Sequence, residues 1–228
     1  MAADELNKEA ELLGPGLIHE MRHPLMGIKA GLELLARKTG VGHSDEFRLV
    51  AQQVARLEEL FRTWQDLFTP QRLPPTLFAV EPVVQRSVDL LAYRLRKLGT
   101  RFVFHSAGPT YGHGTAHAVL HAVTNLLVNA ADAVEEAGRV EVRIVGGDRG
   151  PEVRVSDDGA GIAEDDLPRI FSPRFTTKPD GRGSGLGLHV ARTVMERSGG
   201  GVLLVAPGDP HRLCWARTEF AVRIARVP

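Results

Sequence analysis

Cysteine is almost absent: Cys214 is the only one among 228 residues. A disulfide framework within the chain is thereby excluded, and so is a Cys-based zinc finger. An excess of either charge is also missing, because 28 Lys and Arg balance 28 Asp and Glu. That balance argues against a general nucleic-acid binder, whose domain carries a basic surplus. No apolar run approaches the roughly 18 residues of a membrane-spanning helix. Met1 to Leu13 is too acidic for a signal peptide, which needs a basic start and an apolar middle. The expected compartment is the reducing cytoplasm. Aromatic residues are few, at 6%, but 43% of the chain is hydrophobic, enough to offset chain entropy in a folded protein. The length suits one large domain or two small ones.

The chain reads as two parts. From Asp4 to about Lys38, Leu17, Met21, Leu25, Ile28, Leu32 and Leu35 recur at helical spacing. Pro24 predicts a kink in that helix, and Gly40 a cap at its end. Ser44, followed by Asp45 and Glu46, marks a new helix start. The second helix carries Phe47, Val50, Val54, Leu57, Leu60, Phe61, Trp64, Leu67 and Phe68 as its stripe. A short connection predicts an antiparallel hairpin. Two helices alone cannot bury such stripes, so a second copy completing a dimeric four-helix bundle is expected. The alternative is that the stripes pack on the rest of the same chain. The expected domains are a hairpin over 1–69, a proline-bearing linker over 70–76 and a second domain over 77–228.

In the second domain, helices are expected over Val83–Leu98, Thr115–Ala137 and Leu188–Arg197. Strands are expected over Arg101–Phe104, Val140–Val145, Glu152–Val155, Val202–Val205 and Phe220–Ile224. Strand and helix do not alternate strictly. The expected fold is therefore α+β: a helical hairpin, then an α/β sandwich with a mixed sheet packed on helices.

Three segments could carry chemistry. Asp157-Asp158-Gly159-Ala160-Gly161 follows a strand; its acid can accept a hydrogen bond while its glycines let a flat ring reach the backbone. Gly181-Arg182-Gly183-Ser184-Gly185-Leu186-Gly187-Leu188 opens a helix, where free N–H groups favour phosphate oxygens. Asn125 and Asn129 lie four apart on the long helix, so their amides share a face, and paired carbonyl oxygens suit Mg2+. Each has a plainer reading as turn, flexible loop or solvated face. Their order along the chain makes that reading hard to sustain. There is no Walker-type phosphate loop and no dinucleotide fingerprint.

These motifs resemble the cytoplasmic core of bacterial two-component sensor histidine kinases. Residues 125–132 are similar to the family's N box, 157–161 to the G1 box, 171–175 to the F box and 183–188 to the G2 box. The second domain resembles the ATP-binding domain that these kinases share with gyrase and Hsp90. Phe175-Thr176-Thr177-Lys178-Pro179 is similar to the nitrogen-regulatory subgroup. The resemblance implies that Asp157 accepts the adenine amino group and that Gly159 and Gly161 shape the adenine pocket. It implies that Asn129 ligates Mg2+, with Asn125 helping to position the reacting groups. Lys178 would contact the phosphates of ATP, and Gly183, Gly185, Leu186 and Gly187 would wrap them. Thr218 stands where the family has a polar residue near the adenine, although the usual preceding glycine is Arg217 here.

Ile18-His19-Glu20-Met21-Arg22-His23-Pro24-Leu25 resembles the family's phosphoacceptor box. The resemblance makes His19 the nucleophile and Glu20 the group that takes its second ring proton. His23 replaces the family's Asn or Thr, which puts phosphatase activity in doubt. His19 and His23 are one turn apart, but two ligands fall short of a metal site. His113, His117 and His121 recur every four residues without a carboxylate or cysteine to complete a tetrahedral set.

The implied function is a homodimeric kinase that phosphorylates His19 from Mg-ATP and passes the phosphoryl group to an aspartate of a response regulator. Its input would come from a separate sensor protein or a sensor domain outside this chain. The competing readings are a phosphotransfer hub whose ATP-like domain only docks partners, and an ATPase or serine/threonine kinase of the same superfamily. Gyrase-like ATPases use Glu where Asn125 stands, which disfavours hydrolysis as the main activity.

Overall fold

The computed structural model describes residues 26–38, 44–68, 74–97, 99–147, 150–178 and 185–227. The chain forms two compact units, residues 1–71 with 176–184, and residues 72–175 with 185–228.

In the first unit, α1 is helical over 26–38 and α2 spans Asp45–Phe68. The Ser44 hydroxyl accepts the Phe47 N–H at 3.2 Å, satisfying a donor that the helix start leaves open. Asp45 and Glu46 add negative charge in the first turn, which the helix dipole favours. Met26, Ile28, Leu34 and Leu35 on α1 and Leu49, Val50 and Leu57 on α2 are exposed. The expected kink at Pro24 and cap at Gly40 lie outside the described residues.

The second unit runs β1 (Thr76–Ala79), α3 (Val80–Lys97), β2 (Arg101–Ser106), β3 (Tyr111–Gly114), α4 (Ala116–Ala133), β4 (Arg139–Val145) and β5 (Glu152–Asp157). A 3-10 turn (Glu164–Asp166), α5 (Gly187–Arg197), β6 (Gly201–Leu204) and β7 (Thr218–Arg223) follow. The main sheet has the order β2-β4-β5-β7-β6. Only β2 and β4 are parallel; the other pairs are antiparallel. The result is the expected α+β unit, a mixed sheet packed on helices.

Side-chain alternation builds the core. Val140, Val142 and Ile144 on β4, Val153 and Val155 on β5, and Phe220 and Val222 on β7 are buried, as one face of a pleated sheet requires. Val119, Val123, Leu126 and Leu127 of α4, with Val190, Val194 and Met195 of α5, are buried as well. The intervening strand positions carry charge. Glu219 is fully buried and accepts from Arg143 (3.1 Å), Arg154 (3.2 Å), the Ser156 hydroxyl (2.9 Å) and the Leu213 N–H (3.1 Å). Arg154 also binds Asp209 and Glu152, each at 2.9 Å. Segment 206–217 thus covers the second face of the sheet and pins its charges.

Several expected boundaries move. α3 starts at Val80, not Val83, and a short strand pair, β1 with β3, precedes and follows it where none was expected. α4 ends at Ala133, four residues early. The Ala133 carbonyl turns to accept the Ala160 N–H at 3.3 Å, which stops the helix before the glycine that should have ended it.

Candidate functional site

The site is built around α4. At its C-terminal end it meets the loop after β5. A Cβ on Gly159 would lie 2.5 Å from the Ala133 carbonyl oxygen and 2.8 Å from the Ala133 Cβ. Only glycine permits that approach. Two turns earlier, Asn125 faces the start of α5: a Cβ on Gly187 would lie 3.7 Å from Asn125 Oδ1. Asn129 lies between these points on the face of Asn125, one helical turn apart, and both are half-buried.

Asp157 ends β5 and is 4% exposed. Burial pushes its carboxyl up to about 6; the Gly159 N–H opposes this, the Asp158 charge adds to it, and the Thr218 hydroxyl opposes it. The Gly159 N–H donates to Asp157 Oδ1 at 3.0 Å. Thr218 stands opposite Asp157 on β7 and is buried. A buried carboxylate with so few protein donors suits a ligand that brings one. Gly161 holds φ +81°, a left-handed conformation that glycine takes at no steric cost.

Gly185 holds φ +66°, and a Cβ there would lie 2.7 Å from the Arg174 carbonyl oxygen and 2.7 Å from the Phe175 nitrogen. The 171–175 segment itself is packed: Phe171 meets Phe220 edge-on at 6.1 Å, and the Phe171 carbonyl lies 3.2 Å from His189 Nδ1. Leu186 is the N-cap of α5 and its carbonyl takes the Val190 N–H at 2.9 Å. The N–H groups of Gly187, Leu188 and His189 open the helix, where an anion is favoured.

Asn125, Asn129, Asp157, Gly159, Gly161, Gly185, Leu186, Gly187 and Thr218 all fall within one unit, where Gly159 meets the end of α4 and Gly187 lies beside Asn125. Lys178 falls in the first unit, where its N–H donates to Thr176 Oγ1 at 3.2 Å. Gly183, His19, Glu20 and His23 lie outside the described residues. Among the described residues, no group of three His, Cys, Asp or Glu could hold a metal ion. His113 sits on β3, before the helix begins, while His117 and His121 stack on α4 with ring centroids 6.5 Å apart.

Two neighbours were not legible as site residues. Arg217 donates its backbone N–H to the Asp157 carbonyl at 2.9 Å, and its guanidinium reaches the Gly159 carbonyl at 3.5 Å. His121 Nδ1 lies 3.2 Å from Asn125 Nδ2. The four-residue spacing of His121 and Asn125 was the available signal.

Residues 114–224 match the family described as histidine kinase-, DNA gyrase B-, and HSP90-like ATPase. The sensor histidine kinase ZraS of Salmonella typhimurium is 32% identical over 198 residues, covering 83% of this chain and 41% of that protein. Sporulation kinase A of Bacillus subtilis is 29% identical over 190 residues, covering 82% of this chain and 31% of that protein. The chain thus spans less than half the length of these curated relatives. The catalytic domain of histidine kinase ThkA shares the fold with a TM-score of 0.59 at 24% identity, over 68% of this chain and 97% of that one. No helix among the described residues is long and apolar enough to cross a membrane.

Proposed function

We propose that this chain, which belongs with the two-component sensor histidine kinases and carries their ATP-binding domain over residues 114–224, is an ATP-dependent protein-histidine kinase acting on its own His19. The carrying observation is Asp157, a carboxylate 4% exposed, set beside a glycine pressed onto the Ala133 backbone. Such a slot admits a flat ring edge-on and offers its amino group an acceptor. The ring would enter between Gly159, Gly161 and Thr218.

From Ala133 back to Asn125, α4 runs about 12 Å at 1.5 Å per residue. A nucleotide laid along it would bring its phosphates to the start of α5. There Leu186 and the open N–H groups after Gly187 would cradle them, with Gly183, Gly185 and Lys178 completing the phosphate contacts. Mg2+ would be held by the Asn129 carbonyl with Asn125 beside it; when bound, it neutralises phosphate charge. The donor set fits, since two amide carbonyls plus phosphates and waters suit a hard cation.

His19 would attack the terminal phosphoryl group through a neutral ring nitrogen, with Glu20 taking the proton from the other nitrogen. Catalysis is then mainly positioning and charge stabilisation. The exposed apolar residues of α1 and α2 support a dimeric four-helix bundle over residues 1–69, linked through 70–76 to a catalytic domain over 77–228. The phosphoryl group would pass to an aspartate of a response regulator, in the cytoplasm, with input from a separate or attached sensor. The Phe175–Pro179 phrase supports the nitrogen-regulatory subgroup.

The test is incubation with γ-labelled ATP and Mg2+. The parent chain should acquire label, and Asn129→Ala should lose nearly all of it. A fully labelled Asn129→Ala chain would remove the metal-site assignment; an unlabelled parent that still binds ATP would favour the docking-hub reading.

A further inference from the structure

We propose that His121 is a positioning residue for the phosphoryl transfer assigned above, acting through Asn125; the inference rests on that reading. The two residues are one turn apart on α4, and Asn125 Nδ2 lies 3.2 Å from His121 Nδ1. An amide nitrogen can only donate. The ring must therefore offer Nδ1 as the acceptor, which requires the neutral tautomer carrying its proton on Nε2.

That hydrogen bond decides which way round the Asn125 amide sits. With Nδ2 turned to His121, Oδ1 is turned to the start of α5, where a Cβ on Gly187 would lie 3.7 Å from it. That distance is ordinary van der Waals contact, so the oxygen lies directly beside the start of α5. Without an acceptor at position 121, the amide has two orientations related by a half-turn about its last bond. In one of them an NH2 group replaces the oxygen beside the phosphate site. A carbonyl oxygen there attracts a metal ion or a donor, whereas an NH2 repels the one and competes with the other. The His117 ring lies alongside, with centroids 6.5 Å and planes 23° apart. His121 thus sets the polarity of a group that touches the reacting phosphates without touching them itself.

The experiment uses the full chain with Mg-ATP and compares the parent with His121→Asn, His121→Leu and His121→Lys. Asparagine places an oxygen acceptor near the position of Nδ1; leucine offers none, and lysine offers only donors. Nucleotide affinity is read by calorimetry, the labelling rate at saturating ATP by single turnover, and the Asn125 side-chain amide by nitrogen-15 NMR. His121→Leu and His121→Lys should bind ATP within about threefold of the parent, yet label about tenfold more slowly, as expected when a positioned group loses its orientation. Their Asn125 amide signals should move. His121→Asn should restore the rate to within about threefold and return the signal toward the parent's, since its acceptor serves the same hydrogen bond. Parent-like labelling by His121→Leu, or a His121→Asn chain as slow as His121→Leu, would overturn the positioning role while leaving the kinase reading intact. A parent that neither binds nor labels would overturn the reading and this inference with it.

Discussion

Asp157 and Thr218 stand directly opposite each other on β5 and β7, where the Thr218 hydroxyl favours the charged form of the Asp157 carboxyl group. The strand register therefore couples the buried acid to the residue that tunes it. Thr218→Val removes a donor that favours the charged form, so the Asp157 pKa should rise further above 6, the value toward which burial already drives it. Titration followed by carboxyl NMR signals checks this; an unmoved midpoint would show that the hydroxyl is not engaged.

The same shift gives a pH dependence with a definite sign. Asp157 takes up its proton near 6 in the folded chain, against 3.8 for the unperturbed group. Between those values the folded state binds more protons than the unfolded one, so stability falls as pH rises from about 4 to about 6. A displacement of about two units corresponds to roughly 3 kcal/mol. Denaturant melts of the nucleotide-free parent should show this loss, and Asp157→Asn should abolish it. Nucleotide affinity should run the other way, weakening below pH 6 as the carboxylate is protonated. At neutral pH, Asp157→Asn should weaken ATP binding by about tenfold to a hundredfold, the worth of a charge-assisted hydrogen bond.

Gly159→Ala forces a methyl group into the Ala133 carbonyl, 2.5 Å away. The loop or the last turn of α4 must shift. The expected cost is about 1–3 kcal/mol of stability, with loss of measurable ATP binding. Calorimetry with and without nucleotide separates the two effects.

Glu219 is fully buried and serves Arg143, Arg154, Ser156 and the Leu213 N–H. Glu219→Leu leaves the buried Arg154 and the half-buried Arg143 without their shared acceptor, a change that costs about 3–5 kcal/mol. Chemical denaturation should register it. A variant as stable as the parent would mean that Asp209 and Glu152, with Glu141 lying 3.8 Å from Arg143, suffice to hold both arginines.

Much of this architecture was legible because the core strands alternate and the glycines fall where backbones crowd. The long helix α4 and the start at Ser44 follow from cap signals, and the positions of β4 and β5 from alternation. The β1–β3 pair did not. Its strands are four residues each, one follows two prolines and the other contains two glycines, so neither shows a run of alternation. The early end of α4 comes from a long-range hydrogen bond, Ala160 N–H to Ala133, which no local signal announces. Glu219 fell just before the expected strand, and its burial depends on a covering segment, 206–217, recruited by charges far apart in sequence. In the site, Asn125, Asn129, Asp157 and the glycines followed from motif order, while the hydrogen bond between His121 and Asn125 needed side-chain positions.

Leu49, Val50 and Leu57 are exposed on α2, as are Ile28, Leu34 and Leu35 on α1. A dimer would bury them at about 1.5–3 kcal/mol for each fully covered side chain. Light scattering should give twice the chain mass at micromolar concentration, and a double variant, Val50→Glu with Leu57→Glu, should give a monomer. A parent that stays monomeric would remove the bundle.

Whether the His19 imidazole receives the terminal phosphoryl group of ATP is read from the chemistry of the labelled product. After reaction with γ-labelled ATP and Mg2+, the label should be removed by acid, spared by base and wholly absent from His19→Ala. An acid-stable label, or one that persists on His19→Ala, would contradict that transfer.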